Sequence, residues 1–206
     1  MNDIRLSGII KNIQHSHNIG DISFDKAQLI VDRGNGYEDV INLRFKSFSN
    51  KYKDNDKISI TGNVRSYSYK VSEDKNRVII YVFTYFDELS DEDNVNNEAI
   101  IDGRICKINE LRTTKSGKHN IHFILANNLH SQDNEKRLNS YIPCIAWGRN
   151  ARYAAGFKIG EHIRIWGRVQ SREYTKKLDE DTQIKRTAYE VSVSKIECVD
   201  EDNEQE

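Results

Sequence analysis

Between His162 and Tyr174 the side chains fall into two alternating sets. Ile163, Ile165, Gly167, Val169 and Ser171 are apolar or small, whereas Arg164, Trp166, Arg168, Gln170, Arg172 and Tyr174 are cationic, aromatic or amide-bearing. In an extended strand the two sets lie on opposite faces. One face can then fill a core while the other exposes rings among guanidinium groups. Such a face can stack flat π-systems at ~1–3 kcal/mol each and pair with phosphates, the two contacts that hold an unpaired nucleic acid strand regardless of its sequence.

The same pattern occurs 105 positions earlier. Lys57-Ile-Ser-Ile-Thr-Gly62-Asn-Val64-Arg-Ser66-Tyr-Ser-Tyr69 matches His162-Ile-Arg-Ile-Trp-Gly167-Arg-Val169-Gln-Ser171-Arg-Glu-Tyr174 at Ile, Ile, Gly, Val, Ser and Tyr, six positions in thirteen. Ile58, Ile60, Gly62, Val64 and Ser66 are expected inward, and Lys57, Asn63, Arg65, Tyr67 and Tyr69 outward. The strand openings Leu6-Ser-Gly8 and Ile101-Asp-Gly103 keep the same order, so the chain reads as two copies of one domain.

Charge marks the boundary between the copies. Residues 87–99 and 197–206 hold twelve acidic and no basic groups, so the net charge of -1 conceals +3 in residues 1–86 and +8 in residues 100–196. The expected organisation is a divergent first domain at 1–86, an acidic linker at 87–99, a second domain at 100–196 and an acidic tail at 197–206. Both domains carry the sign that suits a phosphate backbone.

Alternation recurs through Val78 to Phe83, Ile121 to Leu125 and Tyr189 to Val193, so strands dominate. A short helix is expected at Asn150 to Phe157, with a shorter counterpart at Ser47 to Tyr52. About five strands with one short helix between the third and fourth is the element order of a small Greek-key barrel. The expected fold is therefore all-β, two tandem five-stranded OB-fold barrels, each with one short helix. Two loops flank the binding face in that architecture. One is the basic turn at Arg112, Lys115 and Lys118; the other is the long loop from Thr175 to Arg186. Period two alone leaves open whether Ile142, Cys144 and Ala146 or Tyr141, Ile145 and Trp147 form the inward set.

Residues 100–195 resemble the bacterial single-stranded DNA-binding protein family. The resemblance rests on Ile101-Asp-Gly103-Arg104, on the turn Glu110-Leu-Arg112-Thr-Thr-Lys115-Ser-Gly117-Lys118, on Tyr141-Ile-Pro-Cys-Ile-Ala-Trp147-Gly148-Arg149, and on Ile163-Arg-Ile-Trp-Gly167-Arg-Val-Gln-Ser171-Arg172-Glu-Tyr174. It implies base stacking at Tyr141, Trp147 and Tyr174, with Arg149, Arg168 and Arg172 near the backbone. In the first copy Arg44-Phe45-Lys46 takes the place of Trp-Gly-Arg, which makes Phe45 the expected aromatic, and the glycine-lysine turn has no counterpart. The resemblance also implies a homodimer in which four OB folds share one strand, work in replication, recombination, repair or mobile-element transfer, and partners among replication or recombination proteins. The tail Asp200 to Glu206 lacks the hydrophobic tip with which such proteins recruit enzymes.

Other functions find less support. No phosphate loop, nucleophile elbow or zinc-binding His-Glu-x-x-His occurs, and His15, His17, His119 and His122 lack the spacing of a metal site, so neither catalysis nor a cofactor or metal is expected. Cys106, Cys144 and Cys198 fit free thiols. Lacking a run of ~20 apolar residues and a signal peptide, the chain is expected to be cytoplasmic, of bacterial, phage or mobile-element origin. An OB-fold adaptor with weak or no DNA binding and an RNA-binding protein are the competing readings.

Overall fold

The computed structural model describes residues 1–34, 36–47, 52–72, 75–84, 97–130, 137–177 and 183–199. The first half forms β1 (Asn2–Ile19), β2 (Ile22–Asp32), β3 (Glu38–Lys46), β4 (Lys57–Ser72) and β5 (Lys75–Thr84). β1, β2 and β3 run as an antiparallel meander. β3 meets β5 in parallel, β5 pairs with β4, and β4 returns to β1, closing a ring. Inward residues alternate as period two requires, with Ile58, Ile60 and Val64 at most 5% exposed.

The second half repeats this ring with β6 (Asn97–Ile108), β8 (His119–His130), β9 (Arg137–Trp147), β10 (His162–Lys177) and β11 (Gln183–Cys198), preceded at β8 by the two-residue β7 (Arg112–Thr113). β9 and β11 supply the parallel pair. Gly8 and Gly62 in the first barrel, Gly103 and Gly167 in the second, mark where strands cross closely. A Cβ on Gly62 would strike the carbonyl of Phe83, and one on Gly167 that of Ser192. The two halves are OB-type barrels in an all-β chain.

One helix lies among the described residues, α1 (Gly148–Ala154), two residues earlier than the sequence places it. Gly148 has φ +56°, so the chain turns straight out of β9. Ala151 and Ala154, three apart, face the core, and one-turn bonds from Gly156 and Phe157 to Tyr153 and Ala154 finish the segment. The expected counterpart at Ser47 to Tyr52 falls largely on 48–51, outside the described residues.

Three expected boundaries move. β6 begins at Asn97, so Glu98 belongs to a strand, opposite Arg5 of β1, and not to the linker. Glu197 and Cys198 are paired with Arg164 and Ile163, so the tail starts later than 197. The loop expected from Thr175 to Arg186 is largely a hairpin, paired out to Lys177 and Gln183. Residues 87–96, 178–182 and 200–206 lie outside the described residues. The cysteines are free. No helix is long and apolar enough to cross a membrane among the described residues.

The barrels are joined across a local two-fold axis. β1 and β6 pair antiparallel with Ile4 opposite Ala99, so Asn2 faces Ile101 and Asn97 faces Leu6. The Asn2 amide accepts from Val64 N and donates to Val64 O, both at 2.8 Å; Asn97 does the same to Val169, at 3.0 and 2.6 Å. Ser66 Oγ accepts from Tyr141 N at 2.7 Å, and Ser171 Oγ accepts from Val40 N at 2.8 Å. Each barrel's fourth strand thereby satisfies a backbone donor on the other barrel's third.

Candidate nucleic-acid interface

On the second barrel the outward residues of β8, β9, β11 and β10 share one surface. Ile142, Cys144 and Ala146 are the inward set of β9, at 0, 1 and 0% exposure, which leaves Tyr141 (45%) and Trp147 (42%) on the outside. Ile145 shares their parity but is buried between strand partners His122 and Ser192. Arg112 and Trp147 both lie opposite Asn120, which brings a guanidinium-bearing strand within two places of the indole. The Arg172 guanidinium carbon is 5.8 Å from the Tyr174 ring centroid, and Arg186 is the strand partner of Tyr174. Arg149 is exposed in the first turn of α1, and Lys115 and Lys118 are exposed on the β7–β8 turn.

A carboxylate lies in the middle of this surface. Glu190, 5% exposed, accepts from Gln170 Nε2 at 2.9 Å, with Arg172 and His122 each 3.7 Å away. Burial pushes the His122 imidazole below its usual value; Glu190 pulls it up, and Arg172 and Arg112 reinforce the fall. Two members of the expected stripe are engaged elsewhere. Arg164 makes a two-pronged contact with Asp102 at 2.6 and 2.8 Å. Trp166 is half-buried beneath the Lys195 ammonium, 4.3 Å from its ring, and eight residues from Tyr174, about 26 Å along a strand. Arg168 is half-buried opposite Ser192.

The first barrel carries more aromatic surface than its sequence suggests. The Arg44 guanidinium lies over two neighbouring tyrosines, 4.8 Å from the Tyr67 centroid and 4.6 Å from that of Tyr81, whose rings are 6.0 Å apart and tilted by 50°, while Tyr69 lies 6.4 Å from Tyr67. Beside this, Arg65 covers Phe83 at 4.0 Å, Phe83 meets Phe24 at 6.2 Å, and His17 stacks on Phe24 at 5.0 Å. Each cation–π contact of this kind contributes ~0.5–2 kcal/mol and fixes the orientation of a group that would otherwise be mobile. A groove of about 350 Å³ opens beside Arg44, Tyr67 and Tyr81.

Phe45 is not part of either surface. It is 4% exposed, on the core face of β3 with Ile41 and Leu43, and it is Arg44 and Lys46 that point outward. Leu43 pairs with Val82 and Cys144 with Val191, so three residues further on Lys46, not Phe45, is the counterpart of Trp147. The expected residues Arg65, Tyr67 and Tyr69 do lie on the outer face, the two tyrosines 38 and 40% exposed. Arg44, Tyr81, Phe83 and Phe24 were missed. The run Val78-Ile-Ile-Tyr-Val-Phe83 is apolar on both faces, so its parity shows only through the pairing of Val82 with Val64.

A family model described as the single-strand binding protein family matches residues 96–199. Among solved structures, the chain is similar to a deletion mutant of the single-stranded DNA binding protein from Thermus aquaticus, with TM-score 0.72, 18% identity, and 98% of this chain and 96% of that chain covered. The wild-type form of the same Thermus aquaticus protein gives TM-score 0.71 and 16% identity over 97% of this chain and 93% of that one. At these identities the likeness concerns the fold. No curated protein sequence matches the chain.

Proposed function

The chain belongs to the single-strand binding protein family, and on that premise we propose that it binds single-stranded DNA on the outer faces of both barrels, by base stacking and phosphate contacts and without catalysing a reaction. The cluster of Arg44 over Tyr67 and Tyr81 carries this reading: three side chains from three strands hold π-surfaces and a fixed positive charge on an outward face. Tyr141, Trp147 and Tyr174 are the stacking groups of the second barrel. Arg112, Lys115, Lys118, Arg149, Arg168 and Arg172 supply its phosphate contacts.

Trp166, under Lys195, contributes at most an edge. Stacking needs an exposed base face, which a duplex withholds, so unpaired strands are preferred. The cellular role is to cover strands exposed in replication, recombination, repair or mobile-element transfer, with two chains combining four barrels along one strand.

Fluorescence anisotropy of labelled oligo-dT against a matched duplex, at low and moderate salt, tests the reading. Binding to oligo-dT that weakens with salt, with the duplex bound far less, is expected. No binding to oligo-dT would leave an OB-fold adaptor.

A further inference from the structure

The groove beside Arg44, Tyr67 and Tyr81 is also lined by four amide side chains, Asn12, Gln14, Gln28 and Asn42. A stacking platform alone meets every base by its π-face and gives only modest preferences, set by stacking strength and strand flexibility. Amides differ: each offers a donor and an acceptor in one plane, the pattern needed to pair with a base edge. Four amides at the rim of an aromatic floor therefore bring edge recognition and face recognition to one place.

The amide wall is built with some care by the backbone. β1 bulges between Lys11 and Gln14, and Asn12 takes φ +58° there. The Asp54 carboxylate holds the bulge, accepting from Asn12 N and Ile13 N at 3.0 Å each. Asn12 Nδ2 donates to Gln28 Oε1 at 2.7 Å, which orients both amides and leaves the Asn12 carbonyl and the Gln28 NH₂ for another partner. The groove's volume, about 350 Å³, falls within the ~300–1,000 Å³ span of small-ligand sites.

Among the described residues, the matching positions of the second barrel differ in kind. Through the shared register, Asn42 corresponds to Pro143, Arg44 to Ile145 and Tyr81 to Glu190. The amide groove is thus a property of this half and not of the barrel in general.

We infer that the first barrel holds a nucleobase pocket, in which one base of the bound strand stacks beside the Arg44, Tyr67 and Tyr81 cluster and its edge is read by Gln14, the Asn42 carbonyl and the Asn12–Gln28 pair, the Asn42 NH₂ being held by the Ile80 carbonyl at 3.4 Å. This rests on the single-stranded DNA reading and adds base preference to it. A well-made two-bond edge contact discriminates by about 1–3 kcal/mol, roughly five- to 150-fold in affinity.

The test uses the full chain and three labelled homopolymers, oligo-dT, oligo-dC and oligo-dA of one length, titrated at fixed salt. The wild type should separate its best and worst homopolymer by at least about fivefold. In the double variant Gln14→Ala, Asn42→Ala, the first residue exposed and the second half-buried, that ratio should fall below about twofold, with thermal melting confirming the fold. In Tyr67→Ala all three affinities should drop. Equal affinities in the wild type, with binding intact, overturn the pocket and leave the broader reading standing. A preference that survives removal of the amides assigns it to stacking and also overturns the pocket. Absence of binding to any homopolymer removes both readings together.

Discussion

Glu190 occupies in the second barrel the strand position that Tyr81 occupies in the first: each precedes the valine of its strand that pairs with the fourth strand, Val191 with Val169 and Val82 with Val64. The consequence is a difference in kind between two faces of one fold. In the first barrel the position supplies one of the two rings beneath Arg44. In the second it places a buried carboxylate among Gln170, His122 and Arg172, on the side where phosphates are expected to approach.

Neutralising that carboxylate should strengthen binding. In Glu190→Gln the bond from Gln170 can be kept, while a negative charge leaves the face and Arg172 loses its ionic partner. A gain of about 1 kcal/mol, roughly fivefold in affinity for oligo-dT, is expected from Coulomb interactions at an effective dielectric near 20. One more phosphate contact should steepen the slope of log K against log salt by about 0.7. Anisotropy titrations at four salt concentrations measure both quantities; weaker binding by a folded Glu190→Gln protein would place DNA elsewhere.

The stacking groups of the two barrels can be compared directly. Trp147→Ala with Tyr174→Ala removes two exposed rings, and at ~1–3 kcal/mol per stacked base the double variant should bind oligo-dT at least tenfold more weakly. Tyr67→Ala with Tyr81→Ala should cost at least as much, because it also frees Arg44 from the two rings beneath it. Circular dichroism should show both variants folded, and an unchanged affinity in either would strike that barrel from the site.

Why the second barrel was legible and the first only partly so follows from the repeat itself. Of the six coincident positions, the two isoleucines fill the core, the glycine permits the strand crossing, the valine is held by Asn2 or Asn97, and the serine bridges to the other barrel. Only Tyr69 and Tyr174 lie on the proposed binding face. The repeat therefore recorded the barrel and its two-fold junction more than the site. Arg44, Tyr67 and Tyr81 come from three strands brought together by a parallel pairing between β3 and β5, which local periodicity cannot reveal. Phe45 was misplaced because its offset from the end of the strand suggested a counterpart of Trp147, whereas the alternation Ile41, Leu43, Phe45 fixes it inside.

His122 gives the stability a pH dependence whose sign is set by its surroundings. Its folded-state pKa is lowered, chiefly by burial, so below the unfolded value of ~6.5 the unfolded chain binds the proton more readily than the folded one. The histidine is thus neutral in the stable fold, and stability falls as pH drops from about 7 through 6.5 and below. His122→Gln, which cannot take up the proton, should show a shallower loss of melting temperature between pH 7 and 5 than the wild type. Identical slopes would mean that other groups set the acid limit.

Gly167→Ala tests the barrel and the junction together. A Cβ at this position would strike the Ser192 carbonyl on the neighbouring strand, and its third-nearest contact is a Val191 side-chain carbon at 3.1 Å, so β10 and β11 must separate to admit it. Two residues on is Val169, held by Asn97, and four residues on is Ser171, which accepts from Val40 of the other barrel. A shift of β10 at the crossing is carried to both. Overpacking of a close strand contact costs about 1–3 kcal/mol, and the urea midpoint should fall accordingly. Gly62→Ala, against the Phe83 carbonyl, should do the same through Val64 and Ser66. If the barrels are cooperative through the β1–β6 pairing, either substitution lowers a single unfolding transition, whereas independent barrels would show two transitions with only the substituted one displaced.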